Sequence, residues 1–216
     1  MRTVAFGLYH GRMKAAIHAF KYDRLQPAAR GLGRMLAQAI AQLAGGAPDE
    51  MLVVPVPLYR TKQTERGFNQ ARALAESALG FMRKSHPQWR LTLASGTLMR
   101  LRPTASQAGL TSHQRGINVR GAFSVSDPAA VDAKNILLID DILTTGATAR
   151  EVAKALVKAG AASVWVATLA RARRVNELYY GDSFQGDTNE FAGSRANAIE
   201  ASTDSSDRSS QDQPSF

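Results

Sequence analysis

The chain has 216 residues, no cysteine, and 27 basic against 18 acidic side chains, for a net charge of +9. That length supports one domain with a sizeable core and room for a small appendage. Without cysteine there are no disulfides and no thiolate metal sites, no run approaches the ~18 apolar residues of a membrane span, and residues 1–7 lack the pattern of a secretory leader, so a cytoplasmic protein is expected.

The charge is unevenly spread. Residues 181–216 hold seven acids and two arginines, a net of −5, which leaves +14 on the first 180 residues. A body this basic favours polyanionic ligands: a phosphorylated sugar, pyrophosphate or nucleic acid. Charge alone does not separate them.

In chain order, Tyr9 to Tyr22 reads as a helix, with Met13, Ala16, Ile17 and Phe20 forming an apolar stripe. Arg30 to Leu43 is a second helix, closed by Gly45-Gly46. Met51 to Val54 is a short strand stopped by Pro55-Val56-Pro57, and Phe68 to Met82 repeats Ala and Leu at helical spacing. Thr97 to Leu101 is extended, Arg102 to Arg120 reads as a long basic loop, and Gly121 to Ser126 looks like a returning strand. Ile136 to Ile139 is an apolar run without alternation, as in a strand buried on both faces. A helix from Thr148 to Lys158 and a strand from Ser163 to Ala170 follow. Strands alternating with helices predict an α/β fold, a parallel or mixed sheet covered on both faces. The expected layout is a helical lead-in or hood over 1–48, a main domain over 49–180, and a disordered, acidic, Ser-rich tail over 181–216.

The most informative stretch is Asn135 to Thr148, N-I-L-L-I-D-D-I-L-T-T-G-A-T. The apolar run meets Asp140 and Asp141, then a turn of small and hydroxylated residues, then a helix. Backbone amides and the helix dipole make such a turn an anion cradle. Two carboxylates beside a phosphate cradle suit a ligand with hydroxyls near its phosphate, such as a ribose 5-phosphate. The bland alternative is a solvated acid pair between strand and helix.

Residues Ile136 to Thr148 resemble, at all thirteen positions, the signature by which type I phosphoribosyltransferases bind 5-phosphoribosyl 1-diphosphate (PRPP). Further segments narrow the likeness to the ComF/GntX family: Val53-Val-Pro-Val-Pro-Leu58, Arg66-Gly-Phe-Asn-Gln70, Arg100-Leu-Arg-Pro-Thr-Ala-Ser-Gln107, and Ile17-His-Ala-Phe-Lys-Tyr22. That family commonly begins with a four-cysteine, zinc-ribbon-like module. This chain has no cysteine, so no zinc is expected.

The resemblance implies a type I phosphoribosyltransferase-like sheet with a small hood. Thr144, Thr145, Gly146, Ala147 and Thr148 would hold the 5-phosphate, while Asp140 and Asp141 would accept from the ribose hydroxyls and stabilise positive charge at C1. Pro55, Val56 and Pro57 would face the pyrophosphate, in a turn that could hold a strained or cis peptide. Arg100, Arg102 and Gln107 would lie in a loop closing over PRPP, with Arg102 as the pyrophosphate clamp. Mg²⁺ would enter with PRPP rather than through a protein cage. The implied reaction displaces pyrophosphate with a nitrogen acceptor. The family alternative is a non-catalytic role in competence or DNA use, through single-stranded DNA or a helicase-like partner.

Other residues read more plainly. Arg60, Lys62 and Arg66 form either a second basic wall or a surface face. Lys21 and Lys134 read as solvated charges, and Trp89 and Trp165 as packing residues. The four histidines show no ligand spacing, and no Ser-His-Asp order or P-loop lysine occurs.

Overall fold

The structure is a computed structural model that describes residues 1–22, 27–104 and 111–172. Five strands form one sheet in the order β1-β7-β6-β2-β3: β1 (Arg2–Leu8), β2 (Glu50–Pro55), β3 (Arg90–Leu93), β6 (Asn135–Leu143) and β7 (Ser163–Arg171). Every pairing in it is parallel. A separate antiparallel pair joins β4 (Leu98–Arg100) to β5 (Phe123–Val125). The helices are α1 (Gly11–Tyr22), α2 (Ala28–Ala41), α3 (Arg60–Arg66), α4 (Gln70–Ser85), α5 (Ser112–Val119) and α6 (Ala147–Lys158).

The unbroken apolar run of β6 follows from its central place. Ile136 to Ile139 are all fully buried, and they alternate between two cores. Leu137 and Ile139 pack with Ile17 and Phe20 of α1, Leu36 of α2 and Leu74 of α4. Ile136 and Leu138 pack with Val152 and Leu156 of α6, together with Leu98 and Phe123 of the small sheet. Neighbouring strands split in the same way: Val53 joins the first core and Val54 the second, Trp165 the first and Val166 the second. A strand with helices on both faces needs apolar residues at every position, so period-two alternation is lost.

Several elements depart from the sequence expectations. Residues 1–48 are not helical throughout as expected: Arg2–Leu8 forms β1, an edge strand paired with β7. Ala5 and Gly7 weaken its strand signal. Arg60–Arg66 is a helix with no buried residue, ended by Gly67 at φ 79°. The expected Arg102–Arg120 loop contains α5, started by a reciprocal cap in which Gln114 N donates to Thr111 Oγ1 and Thr111 N to Gln114 Oε1. Arg90–Leu93 adds a short edge strand. All described peptide bonds are trans, including those at Pro55 and Pro57. Trp89 and Trp165 are buried, as packing residues are. Residues 181–216, and with them the expected tail, lie outside the described residues.

From β2 the chain crosses through α4 to β3, on one side; from β6 it crosses through α6 to β7, on the other. The connections therefore diverge between β2 and β6. In open parallel sheets a crevice opens beyond the strand ends at such a point. β2 pairs with β6 only as far as Pro55 and Ile139, whereas β6 continues to Leu143 against β7 alone. The last turn-ward residues of β6 thus border open space.

Candidate functional site

A cavity of about 370 Å³ lies at that crevice. Asp140 and Asp141 are its only described acids, and five cations surround them: Lys21, Lys62, Arg66, Arg100 and Arg115. Thr144, Gly146, Ala147 and Thr148 line it at the start of α6, and Val56 and Pro57 at the end of β2. Eight elements, α1, β2, α3, α4, β4, α5, β6 and α6, therefore build one charged pocket.

The turn after β6 owes its shape to Gly146, whose φ of 73° suits a residue without a Cβ. Thr145 Oγ1 accepts from Ala147 N at 3.3 Å, and Arg150 Nη1 donates to Thr145 O at 2.8 Å. These bonds fix the turn against α6, and Thr145 is not among the residues that line the cavity. The start of α6 directs the positive end of its helix dipole at the cavity, which suits an anion. β2 is braced by Val56 N donating to Ile139 O at 2.9 Å. Asn69 Nδ2 donates to Val56 O at 3.1 Å while Asn69 Oδ1 accepts from Arg72 N, so one side chain ties the β2 turn to the start of α4.

The acid pair is asymmetric. Lys21 Nζ lies 2.6 Å from Asp141 Oδ2, with both side chains largely shielded. Lys21 is thus a site residue, not a solvated charge: the last turn of α1 brings it over the end of β6. Asp140 Oδ1 accepts from Asp141 N at 2.8 Å. Burial and the Asp141 charge push the Asp140 carboxyl up to about 7, opposed by that backbone bond and by the Lys21 and Arg100 charges. Burial lowers the Arg100 guanidinium, partly offset by Asp140, and burial together with Arg100 and Arg66 lowers Lys62.

The sequence candidates do not all converge. Arg100 lines the cavity, stacks over Phe123 at 5.3 Å and donates to Thr104 Oγ1. Arg102 is exposed, lies outside the cavity lining and donates to Arg120 O at 2.6 Å. Pro55 ends β2 behind the lining. Gln107 lies outside the described residues. Of the basic wall, Lys62 and Arg66 face the cavity and Arg60 does not. Sequence reading missed Asn69, Gln70 and Arg115 as cavity residues. Asn69 and Gln70 stood in a recognised motif, and Arg115 follows the Thr111–Gln114 capping pattern that marks α5.

Residues 66–201 match the phosphoribosyl transferase domain family. The chain belongs to that family. Among curated relatives it is 33% identical over 172 residues to the DNA utilization protein YhgH of Escherichia coli (strain K12), covering 79% of this chain and 72% of the relative. It is 29% identical over 174 residues to competence protein F of Haemophilus influenzae, covering 79% and 73%. It is 38% identical over 126 residues to competence protein ComFC of Bacillus subtilis (strain 168), covering 57% and 46%. These matches make it a ComF-family, type I phosphoribosyltransferase-like protein. Among solved structures, a glutamine PRPP amidotransferase from B. subtilis is 25% identical, covers 65% of this chain and 26% of its own, and superposes with a TM-score of 0.38.

Proposed function

We propose that this phosphoribosyltransferase-like domain binds PRPP and displaces its pyrophosphate with a nitrogen acceptor. The observation that carries the reading is the acid pair at the end of β6, set between the α6 turn and a wall of cations. The 5-phosphate would meet the amides of Gly146 to Thr148 and the hydroxyls of Thr144 and Thr148. Asp140 and Asp141 would accept from the ribose hydroxyls, and their charge would stabilise the cationic C1 as the diphosphate departs. The diphosphate would lie toward Arg100 and the Val56-Pro57 turn.

Among the described residues no three acids or histidines group as a metal cage. A magnesium ion carried on diphosphate oxygens, with at most the acid pair beside it, fits this donor set. It would neutralise charge on the leaving group.

Calorimetric titration with PRPP, with and without Mg²⁺, tests the reading. Saturable, Mg²⁺-sensitive binding is expected, and its loss in Asp140→Asn/Asp141→Asn, in a variant that remains folded. Unchanged affinity in the double variant would remove the site assignment.

A second reading rests on the relatives named for competence and DNA utilization. On it the same cationic cavity serves DNA use, through single-stranded DNA or a helicase-like partner, with ribose phosphate binding as a regulatory remnant. Folded protein that binds single-stranded DNA but not PRPP would favour it.

A further inference from the structure

The junction between α5 and β5 holds a single peptide group that is gripped at both ends. Gly121 N donates to Glu151 Oε1 at 2.7 Å, and Arg120 O, the carbonyl of the same peptide, accepts from Arg102 Nη2 at 2.6 Å. A carboxylate at the amide and a guanidinium at the carbonyl both align with the peptide dipole, and each bond is charge-assisted. Gly121 has a φ of 65°, a turn that suits a residue without a Cβ. On either side the chain is buried: Val119, Ala122 and Phe123 pack with Val152 and Leu156 of α6 in one core.

This peptide lies between two arginines of the cavity. Before it, α5 carries Arg115, which lines the cavity four residues ahead of the buried Val119. After it, Phe123 opens β5, pairs with Arg100 of β4 and carries the Arg100 guanidinium over its ring at 5.3 Å. Among the described residues, the Nε atoms of both arginines are buried without a hydrogen-bond partner. Bonds of their own therefore do not fully fix these guanidinium groups, whose places depend on the backbone beneath them. Glu151 stands on α6 next to Arg150, whose Nη1 ties that helix to Thr145 O in the turn before it. Consecutive side chains of α6 thus hold the turn that borders the cavity and the peptide between its arginines. The Glu151 side chain is largely shielded, at 18% exposed, and its other oxygen lies 3.7 Å from Lys154 Nζ. Arg102 is exposed, so water can take its place at the carbonyl, and the shielded carboxylate is the firmer anchor.

We propose that Glu151 is a positioning residue. Through the Gly121 amide it sets Arg115 and Arg100 against the turn that begins its own helix, so that one ligand meets the turn and the arginines together. The inference rests on the PRPP reading above, in which the 5-phosphate and the diphosphate are the two ends of that ligand. It adds a residue that lies outside the cavity lining. The sign of the effect separates positioning from charge. Glu151 is an acid on a helix that borders an anion site, so by charge alone its removal strengthens anion binding. By positioning, its removal weakens binding at the arginines. A merely structural role would lower the melting temperature and leave the affinities of the folded protein as they are.

The test titrates wild type, Glu151→Ala and Glu151→Gln with PRPP, inorganic pyrophosphate and ribose 5-phosphate, and follows amide hydrogen exchange across residues 116–123. In Glu151→Ala, PRPP and pyrophosphate should bind about fivefold more weakly, the scale of one lost hydrogen bond. Ribose 5-phosphate should bind it as well as wild type or better, and exchange across the junction should be faster. Glutamine keeps an acceptor for the Gly121 amide, so Glu151→Gln should bind all three ligands at least as tightly as wild type. Equal losses for the three ligands, unchanged or tighter pyrophosphate binding in Glu151→Ala, or Glu151→Gln as weak as Glu151→Ala would overturn the assignment. Exchange that is the same in all three proteins would overturn it as well. Should Glu151→Ala fold poorly, Glu151→Met, which keeps the side chain's length without the acceptor, decides in its place. Wild type that binds pyrophosphate but not PRPP would overturn the transferase reading, and the pyrophosphate titrations would still decide the role of Glu151. PRPP binding that is equal in every variant would remove that role and leave the transferase reading standing. Wild type that binds neither would overturn both.

Discussion

Burial and the neighbouring Asp141 carboxylate push the Asp140 carboxyl up to about 7, from an ordinary 3.8. A carboxyl raised in the folded state stabilises the fold fully below its ordinary value, and that contribution is lost as pH rises through about 7. Ligand hydroxyls donate to the ionised form, so PRPP affinity should rise as pH increases toward and through 7. Asp140→Asn should flatten both the affinity profile and this part of the unfolding profile. Calorimetry and thermal melts at pH 5 to 8 check it, and an unchanged slope in Asp140→Asn would sink the assignment. The arginines offer a second residue-scale prediction. Arg100 lines the cavity and Arg102 bonds Arg120 O outside it. Arg100→Ala should therefore weaken pyrophosphate binding about tenfold or more, the scale of a lost charge-assisted bond, with Arg102→Ala near wild type. The opposite ranking would restore Arg102 as the clamp. Sequence alone does not separate these two, because they lie two residues apart in the same basic segment. The antiparallel pairing of β4 with β5 sends Arg100 to Phe123 and leaves Arg102 beyond the strand.

Elements were legible where burial imposes a pattern and illegible where it does not. β6, β7, α2, α4 and α6 carry strong apolar signals because each feeds one or both cores. α3 has no buried residue, and β1 and β3 are edge strands, so none bears a core-imposed pattern. α5 announced itself only through its cap, Thr111 with Gln114. The start of α4 illustrates how local chemistry positions the site. Asn69 caps the helix and holds the Val56 carbonyl of the β2 turn. Asn69→Ala should cost about 1–2 kcal/mol, a lost cap plus an unpaired carbonyl. Urea unfolding measures it, and a cost within about 0.5 kcal/mol of zero, as at ordinary surface sites, would show that the tie is idle.

At the scale of the whole molecule, charge and topology work together. The chain carries +9 overall, with the acids of 181–216 set against a much more basic remainder. Binding of single-stranded DNA, if it occurs, should weaken steeply and log-linearly with salt, whereas PRPP binding to a shielded pocket should change less. Parallel titrations at 50 and 200 mM salt separate the two, and equal salt slopes would count against a discrete pocket. The α/β class, the central strand, the acid pair and the glycine-bearing turn after it were legible in the sequence, because these are local patterns: an apolar run, adjacent carboxylates, a glycine able to take positive φ. Only the tertiary structure decided that Lys21 meets Asp141, that Arg100 rather than Arg102 faces the cavity, and that Gln70 and Arg115 join it. Those choices depend on where α1, α3, α4 and the small sheet come to rest around the divergence of β2 and β6, and side chains tens of residues apart acquire a common environment only when the sheet assembles.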